Sequence, residues 1–142
     1  MLNANSLIQV WLFSAGTPHR AGVLDSNLET LELYSQELKN LAMVIIKQMG
    51  KALKMKETEM RVLFEDGIQS IRMNYYPPCP EPEKVIGLTP HSDARGLTIL
   101  LQANEVEWLQ VWKDGKWVPV KPLPSAFIVN IGDMLEVIYI CC

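Results

Sequence analysis

With 142 residues, nearly half of them hydrophobic and a fifth charged, the chain has the composition of one globular domain able to bury a core. A formal charge of -3 leaves no basic footprint for nucleic acid, and no segment reaches the about 20 consecutive apolar residues that span a bilayer. Three cysteines, Cys79, Cys141 and Cys142, form no disulfide framework, since two are adjacent, and a reducing compartment is expected.

Residues 1–25 carry no clear periodicity. The apolar run Ser6 to Gly16 imitates the middle of a signal peptide but lacks a basic start, the first cationic side chain being Arg20, so the expectation is a cytoplasmic protein. A helical region is expected over 26–66. Ser26 and Glu29 form a capping-box pattern. Leu31, Tyr34, Leu38, Leu41, Ile45 and Met49 then recur at three- and four-residue spacing, predicting one buried stripe that ends or weakens at Gly50. A shorter helix is predicted from about Lys56 to Phe64, closed by Asp66-Gly67.

From Ser70 the period changes to two, and residues 67–142 read as a strand-rich region. Ile71, Met73 and Tyr75 alternate with Arg72, Asn74 and Tyr76 before Pro77-Pro78 breaks the strand. Leu97 to Gln102 reads as a buried strand. Leu109–Trp112 and Trp117–Val120 flank Lys113-Asp114-Gly115-Lys116, a hairpin signal. Ala126–Ile131 and Met134–Ile140 predict two more strands around Gly132-Asp133. The fold class is therefore α+β, a jelly roll or barrel of short strands.

His91-Ser92-Asp93 carries the chemistry. In an extended segment residues i and i+2 share a face, so the imidazole and the carboxylate can meet at one metal. A neutral imidazole with a hard carboxylate suits iron(II) once a second histidine completes a facial triad. The other histidine of the chain, His19, lies far upstream. By itself H-x-D is more often a solvated pair than a ligand pair, and a zinc hydrolase also needs three protein ligands.

The neighbourhood is more specific. Arg72-Met73-Asn74-Tyr75-Tyr76-Pro77-Pro78-Cys79-Pro80, Gly87-Leu88-Thr89-Pro90-His91-Ser92-Asp93 and Gly96-Leu97-Thr98-Ile99-Leu100-Leu101-Gln102 occur in that order. Asp114-Gly115-Lys116-Trp117-Val118 and Asn130-Ile131-Gly132-Asp133-Met134-Leu135-Glu136 follow. This ordered set resembles the plant 2-oxoglutarate- and iron(II)-dependent dioxygenases, in the branch of senescence-related and alkaloid O-demethylase-type members, roughly from Leu28 to Ile138.

The resemblance implies an incomplete double-stranded β-helix with the long helix packed outside it. It also implies iron(II) held by His91 and Asp93, and 2-oxoglutarate hydrogen-bonded by Asn74 and Tyr76. Ascorbate would be supportive, molecular oxygen and a small molecule of plant specialised metabolism the other reactants, and no nucleic acid or membrane a partner. The implied reaction couples decarboxylation of 2-oxoglutarate to hydroxylation, demethylation or desaturation. Asn74 could instead satisfy a strand edge, and Tyr76 could be a packed aromatic with a wet hydroxyl.

The family's distal histidine and Arg-x-Ser pair find no match, the last arginine being Arg95, so the chain reads as C-terminally truncated. Its activity is then in doubt, and the alternative is a catalytically inactive remnant or an interaction partner of intact relatives. A substitute ligand at Cys141 or Cys142 would have to come from an unmatched tail. Trp108, where the family commonly has glycine, predicts a strained or re-routed backbone. Arg95 replaces a small apolar residue just past the metal motif.

Overall fold

The computed structural model describes residues 5–12, 28–64 and 67–141. Strand β1, Asn5–Leu12, lies inside the segment without legible periodicity, and the capping box at Ser26 falls outside the described residues. Helix α1 runs over Leu28–Ala52 with Glu29 in its first turn and Lys51 in its last, each at the favourable pole of the helix dipole. Its buried stripe is Leu38, Ala42, Ile46 and Gly50, while Leu41, Ile45 and Met49 are only partly buried. The stripe expected from large apolar residues is thus displaced by one position. Small residues at 42 and 50 let neighbouring elements come close, and a count of bulky side chains overlooks them. Gly50 accordingly does not end the helix: it lies inside it against Met60.

Helix α2, Glu57–Phe64, starts where the Lys56 N–H donates to Glu59 Oε2 at 3.2 Å, the reach-back half of a capping box. Met60 and Phe64 from this helix are buried with Leu38, Ala42 and Ile46. The strands that follow are β2, Gln69–Tyr76; β3, Leu97–Gln102; β4, Gln110–Lys113; β5, Lys116–Pro119; and β6, Phe127–Ile131. Ile71, Met73, Leu97, Ile99, Leu101, Ile128 and Val129 all lie in strands, as expected. The β4–β5 hairpin turns through Asp114 and Gly115, both with positive φ (51° and 76°), the turn that matches strand twist. Trp112 and Trp117 sit opposite each other across it, edge to face at 5.1 Å.

The main sheet has the order β2-β1-β3-β6, all antiparallel, so β1 bridges two strands that do not pair directly. Paired residues share a face, and the registers sort the sheet cleanly. One face carries Gln69, Ile71, Met73 and Tyr75 of β2, Leu97, Ile99 and Leu101 of β3, and Phe127, Val129 and Ile131 of β6. Helix α1 packs on this face. Leu97, Ile99 and Ile71 join the core cluster, and Gln69 Nε2 donates to the Ser35 carbonyl at 2.9 Å while Ser35 Oγ donates to Gln69 Oε1 at 3.0 Å. The other face carries Ser70, Arg72, Asn74 and Tyr76, then Thr98, Leu100 and Gln102, then Ile128 and Asn130. Of these β2, β3 and β6 residues all but Leu100 and Ile128 carry a polar group, and β1 places Asn5, Leu7, Gln9 and Trp11 in the same rows. The sheet, the hairpin and the outside helix are compatible with a partial jelly roll.

The expected strand Met134–Ile140 is instead helix α3, Asp133–Cys141. Leu135 and Glu136 N–H donate to the Gly132 carbonyl at 3.0 and 3.2 Å and start the turn, with Asp133 and Glu136 at the dipole's positive end. Leu135 is 1% exposed and Ile138, three residues on, packs on the same cluster. An apolar run of this length does not distinguish helix from strand by periodicity.

Candidate functional site

His91 and Asp93 sit in an irregular segment that leaves β2 at Tyr76 and returns to start β3 at Leu97. Three hydrogen bonds fasten its end to the β6–α3 corner. Gly132 N–H donates to Gly96 O at 3.0 Å, Asp133 N–H donates to Asp93 O at 2.8 Å, and Ser92 Oγ donates to Asp133 Oδ2 at 2.8 Å. A Cβ at position 132 would collide with the carbonyl oxygens of Arg95 and Asp93, so the corner can close this tightly only on glycine. Asp133 has two jobs here, as first residue of α3 and as anchor for the H-x-D segment.

The imidazole is oriented by its backbone. His91 Nδ1 lies 2.8 Å from Thr89 O, and because a carbonyl only accepts, Nδ1 carries the proton. In the neutral ring Nε2 then presents its lone pair, 3.7 Å from Asp93 Oδ1. Two metal–ligand bonds of about 2 Å each can span this separation. An Nδ1–H held by a carbonyl is the usual outer support of a metal-binding histidine. Asp93 is only 17% exposed, which favours an oriented carboxylate over a solvated one. The pair fits a hard divalent ion as two of its ligands. Among the described residues no third His, Cys, Asp or Glu joins them. The side chains of Cys141 and Cys142 lie outside the described set.

Asn74 and Tyr76 are brought to one face of β2, the polar one, and both are partly buried. Met73 and Tyr75, expected on the buried side, are 58% and 63% exposed instead, because the helix covers this sheet face only nearer Ile71. The chain leading to the H-x-D segment passes Tyr76 at Gly87, where a Cβ would lie 3.4 Å from the ring, four residues before His91. Trp108 stacks on Tyr76 with ring centroids 6.1 Å apart and planes tilted by 37°. No left-handed backbone is found at Trp108, so of the strained or re-routed backbone expected there, strain of that kind is not present. Arg95 is exposed, while its carbonyl faces Gly132.

Three further atoms escaped the sequence reading. Among the described residues, Thr98 Oγ1, Gln102 Oε1 and Trp108 Nε1 are buried with no hydrogen-bond partner. Thr98 and Gln102 are on the polar face with Asn74 and Tyr76. Gln102 Nε2 is spent on Asn104 O (2.8 Å), Asn104 Oδ1 (3.2 Å) and Val106 O (2.6 Å), which aims its oxygen elsewhere. The signal was available: residues 98 and 102 are even-numbered members of a strand whose odd members are all apolar. Orphaned polar atoms on a covered face are what a polar ligand would satisfy. Two grooves beside α1, of about 390 and 210 Å³, are lined largely by Met, Leu, Ile and Val side chains, and neither includes the H-x-D pair.

His91 and Asp93 thus form an imidazole–carboxylate pair in the segment between β2 and β3, tied to the β6–α3 corner. The chain belongs to the 2OG-Fe(II) oxygenase superfamily, whose sequence model matches residues 67–140, just over half its length. It is 62% identical over 112 residues to Protein SRG1 of Arabidopsis thaliana, covering 78% of this chain and 31% of that protein. It is 62% identical over 110 residues to the oxoglutarate-dependent flavonoid 7-O-demethylase 1 of Ocimum basilicum, covering 78% of this chain and 30% of that one. Identity to thebaine 6-O-demethylase of Papaver somniferum is 58% over 112 residues, 77% of this chain and 31% of the relative. The chain thus spans about a third of the length of these relatives. Among the described residues no helix is long and apolar enough to cross a membrane.

Proposed function

We propose that this chain carries the iron- and cosubstrate-binding half of a 2-oxoglutarate-dependent oxidoreductase of plant specialised metabolism, acting on a small molecule by hydroxylation, demethylation or desaturation. His91 and Asp93 hold iron(II), and Asn74 and Tyr76 hydrogen-bond 2-oxoglutarate. The observation that carries the reading is the facing of His91 Nε2 and Asp93 Oδ1 across 3.7 Å with Nδ1 tied to Thr89. The family and the demethylase relatives support the reaction class. When bound, the metal and cosubstrate together supply the activation of oxygen.

The chain's own residues do the positioning. Thr89 fixes the imidazole tautomer, Ser92 and Asp133 fix the H-x-D backbone, and Trp108 backs Tyr76 so that its hydroxyl meets the cosubstrate at a set angle. Ascorbate sustains activity by keeping the iron reduced. A cytoplasmic setting belongs to the same reading, supported by the unbridged thiol of Cys79.

The test is succinate and carbon dioxide release from labelled 2-oxoglutarate with iron(II), ascorbate and oxygen. Slow release abolished by His91→Ala is expected from the 142-residue chain, below the rate of an intact relative. Release unaffected by His91→Ala overturns the assignment. Iron and 2-oxoglutarate binding with no succinate supports a second reading, a non-catalytic partner of intact relatives, favoured by the two-donor set among the described residues.

A further inference from the structure

Charge is unevenly spread along the chain. Lys47, Lys51, Lys54, Lys56 and Arg61 fall within fifteen residues that hold only two carboxylates, Glu57 and Glu59, although the whole chain carries -3. This stretch is the end of α1, the turn after it and most of α2. Neither the metal nor the cosubstrate assignment uses it.

The turn builds a groove there. Lys54 N–H donates to Lys51 O at 3.1 Å and Met55 N–H donates to Gly50 O at 3.0 Å, with Lys54 left-handed at φ 57°, a geometry that closes a helix C-terminus. Met55 is thereby returned to the level of Gly50, where the missing side chain leaves room for Met60. A Cβ at position 50 would lie 2.8 Å from Met60 Cγ. Met43, Met55 and Met60 line the resulting cavity of about 210 Å³ between the two helices. Thioether side chains are flexible and polarisable, so such a wall adapts to an apolar guest. The volume is below the roughly 300–1,000 Å³ of pockets for drug-sized ligands, so the guest is a short chain or a single ring.

The charged lining is Lys47, Lys51 and Arg61 against Glu57. Glu57 is matched by Lys47 at 2.6 Å, and its carboxyl is held below the ordinary range by that hydrogen bond and charge, then by Lys51 and Arg61 at longer range. Among the described residues Lys51 makes no ion pair. A cation beside an apolar cavity complements a ligand with an apolar tail and one negative end.

We propose that the groove between α1 and α2 is a binding site for a small amphiphilic carboxylate, its tail among Met43, Met55 and Met60 and its head on Lys51. The site is separate from the H-x-D pair and does not depend on the function proposed above. A lysine-rich helix end can also be a solvated surface that complements the helix dipole. A surface of that kind would attract an anion whatever its tail.

The experiment titrates hexanoate, hexanol and hexylamine into the 142-residue chain by NMR, with the methionine methyls isotope-labelled. Acetate serves as a head without a tail. Hexanoate is expected to bind tightest and hexylamine weakest, shifting the methyls of Met43, Met55 and Met60 and sparing Met73 on the sheet. Acetate should bind at least about tenfold more weakly than hexanoate, since each buried methylene contributes up to about fourfold in affinity. Lys51→Gln should weaken hexanoate about two- to fivefold, the effect of one exposed ion pair, and Lys116→Gln on the hairpin should not. Lys51→Glu should reverse the order of hexanoate and hexylamine. Lys51 and Lys116 are exposed, so these variants should fold, as circular dichroism would verify.

Equal affinities for the three six-carbon probes, no saturable binding of any, or acetate as tight as hexanoate overturns the proposal without any variant. So does hexanoate binding that is unchanged in Lys51→Gln or equally weakened in Lys116→Gln. Shifts confined to methyls outside the groove would place the ligand elsewhere and overturn it as well.

Discussion

The two faces of the four-stranded sheet solve different problems with the same strands. On the helix side Leu97 and Ile99 are 0% and 2% exposed against Phe64, Ile46 and Leu38, and Gln69 is locked to Ser35 by two hydrogen bonds. On the opposite side Thr98 is as deeply buried, at 1%, yet among the described residues its hydroxyl has no partner, and Gln102 also keeps an unpartnered oxygen. Burying a hydroxyl without a hydrogen bond costs stability, so the first face is shaped by folding, and the second is the one that the proposed function assigns to a ligand. The contrast has one exception. Tyr34 of α1, on the helix side, also buries a hydroxyl without a partner, and that burial pushes its phenol above the ordinary tyrosine range.

The largest effect should come from the folding face. Phe64→Ala removes a ring that is 0% exposed beneath Gly96, and a loss of about 3–5 kcal/mol is expected in urea unfolding. An unchanged midpoint would mean that the helix and sheet do not share one core. Next comes the corner between the faces. Gly132→Ala must push the Asp93–Arg95 backbone away, costing about 1–3 kcal/mol, and iron affinity should fall with it. Full iron binding in that variant would show that the Gly132 corner does not position the H-x-D segment.

Smaller and opposite in sign are the two orphan hydroxyls. Thr98→Val and Tyr34→Phe should each raise stability by about 1 kcal/mol, since each deletes a buried unpaired group at nearly constant shape. Only Thr98→Val should weaken ligand binding. Equal effects of both on binding would erase the distinction between the faces. The least effect belongs to the surface pair Lys47–Glu57, at 2.6 Å and well exposed. The hydrogen bond from Lys47, with its charge, lowers the Glu57 pKa. A carboxyl depressed in the folded state stabilises above its unfolded pKa and loses this as pH falls through the folded one. Glu57→Gln should therefore be slightly less stable at neutral pH and no different from the parent in strong acid, in paired denaturation curves.

Much of this was legible in the residues. The change of period at Ser70 located the helix-to-strand transition, Asp114-Gly115 located the hairpin, and i, i+2 spacing paired His91 with Asp93 and Asn74 with Tyr76. Three things were not legible, each for a physical reason. The core contacts of α1 run through Ala42 and Gly50, whose value lies in being small. Met134–Ile140 became helix because Gly132 turns the chain and Asp133 accepts from Ser92, a contact between residues 41 positions apart that no local pattern encodes. The polar face itself appears only once register is known, since strand β1 sets Asn74 beside Gln102 through their shared partner Leu7.

The most direct test of the two-faced account is a manganese(II) titration followed by NMR, the ion serving as a paramagnetic stand-in for iron(II). The side-chain amide signals of Asn130 and Asn74 and the Thr98 methyl should broaden before the methyls of Val129 and Met73, which occupy the other face. His91→Ala should remove the effect. Broadening that begins on the helix side, or that persists unchanged in His91→Ala, would contradict the assignment of the polar face and the H-x-D pair to one site.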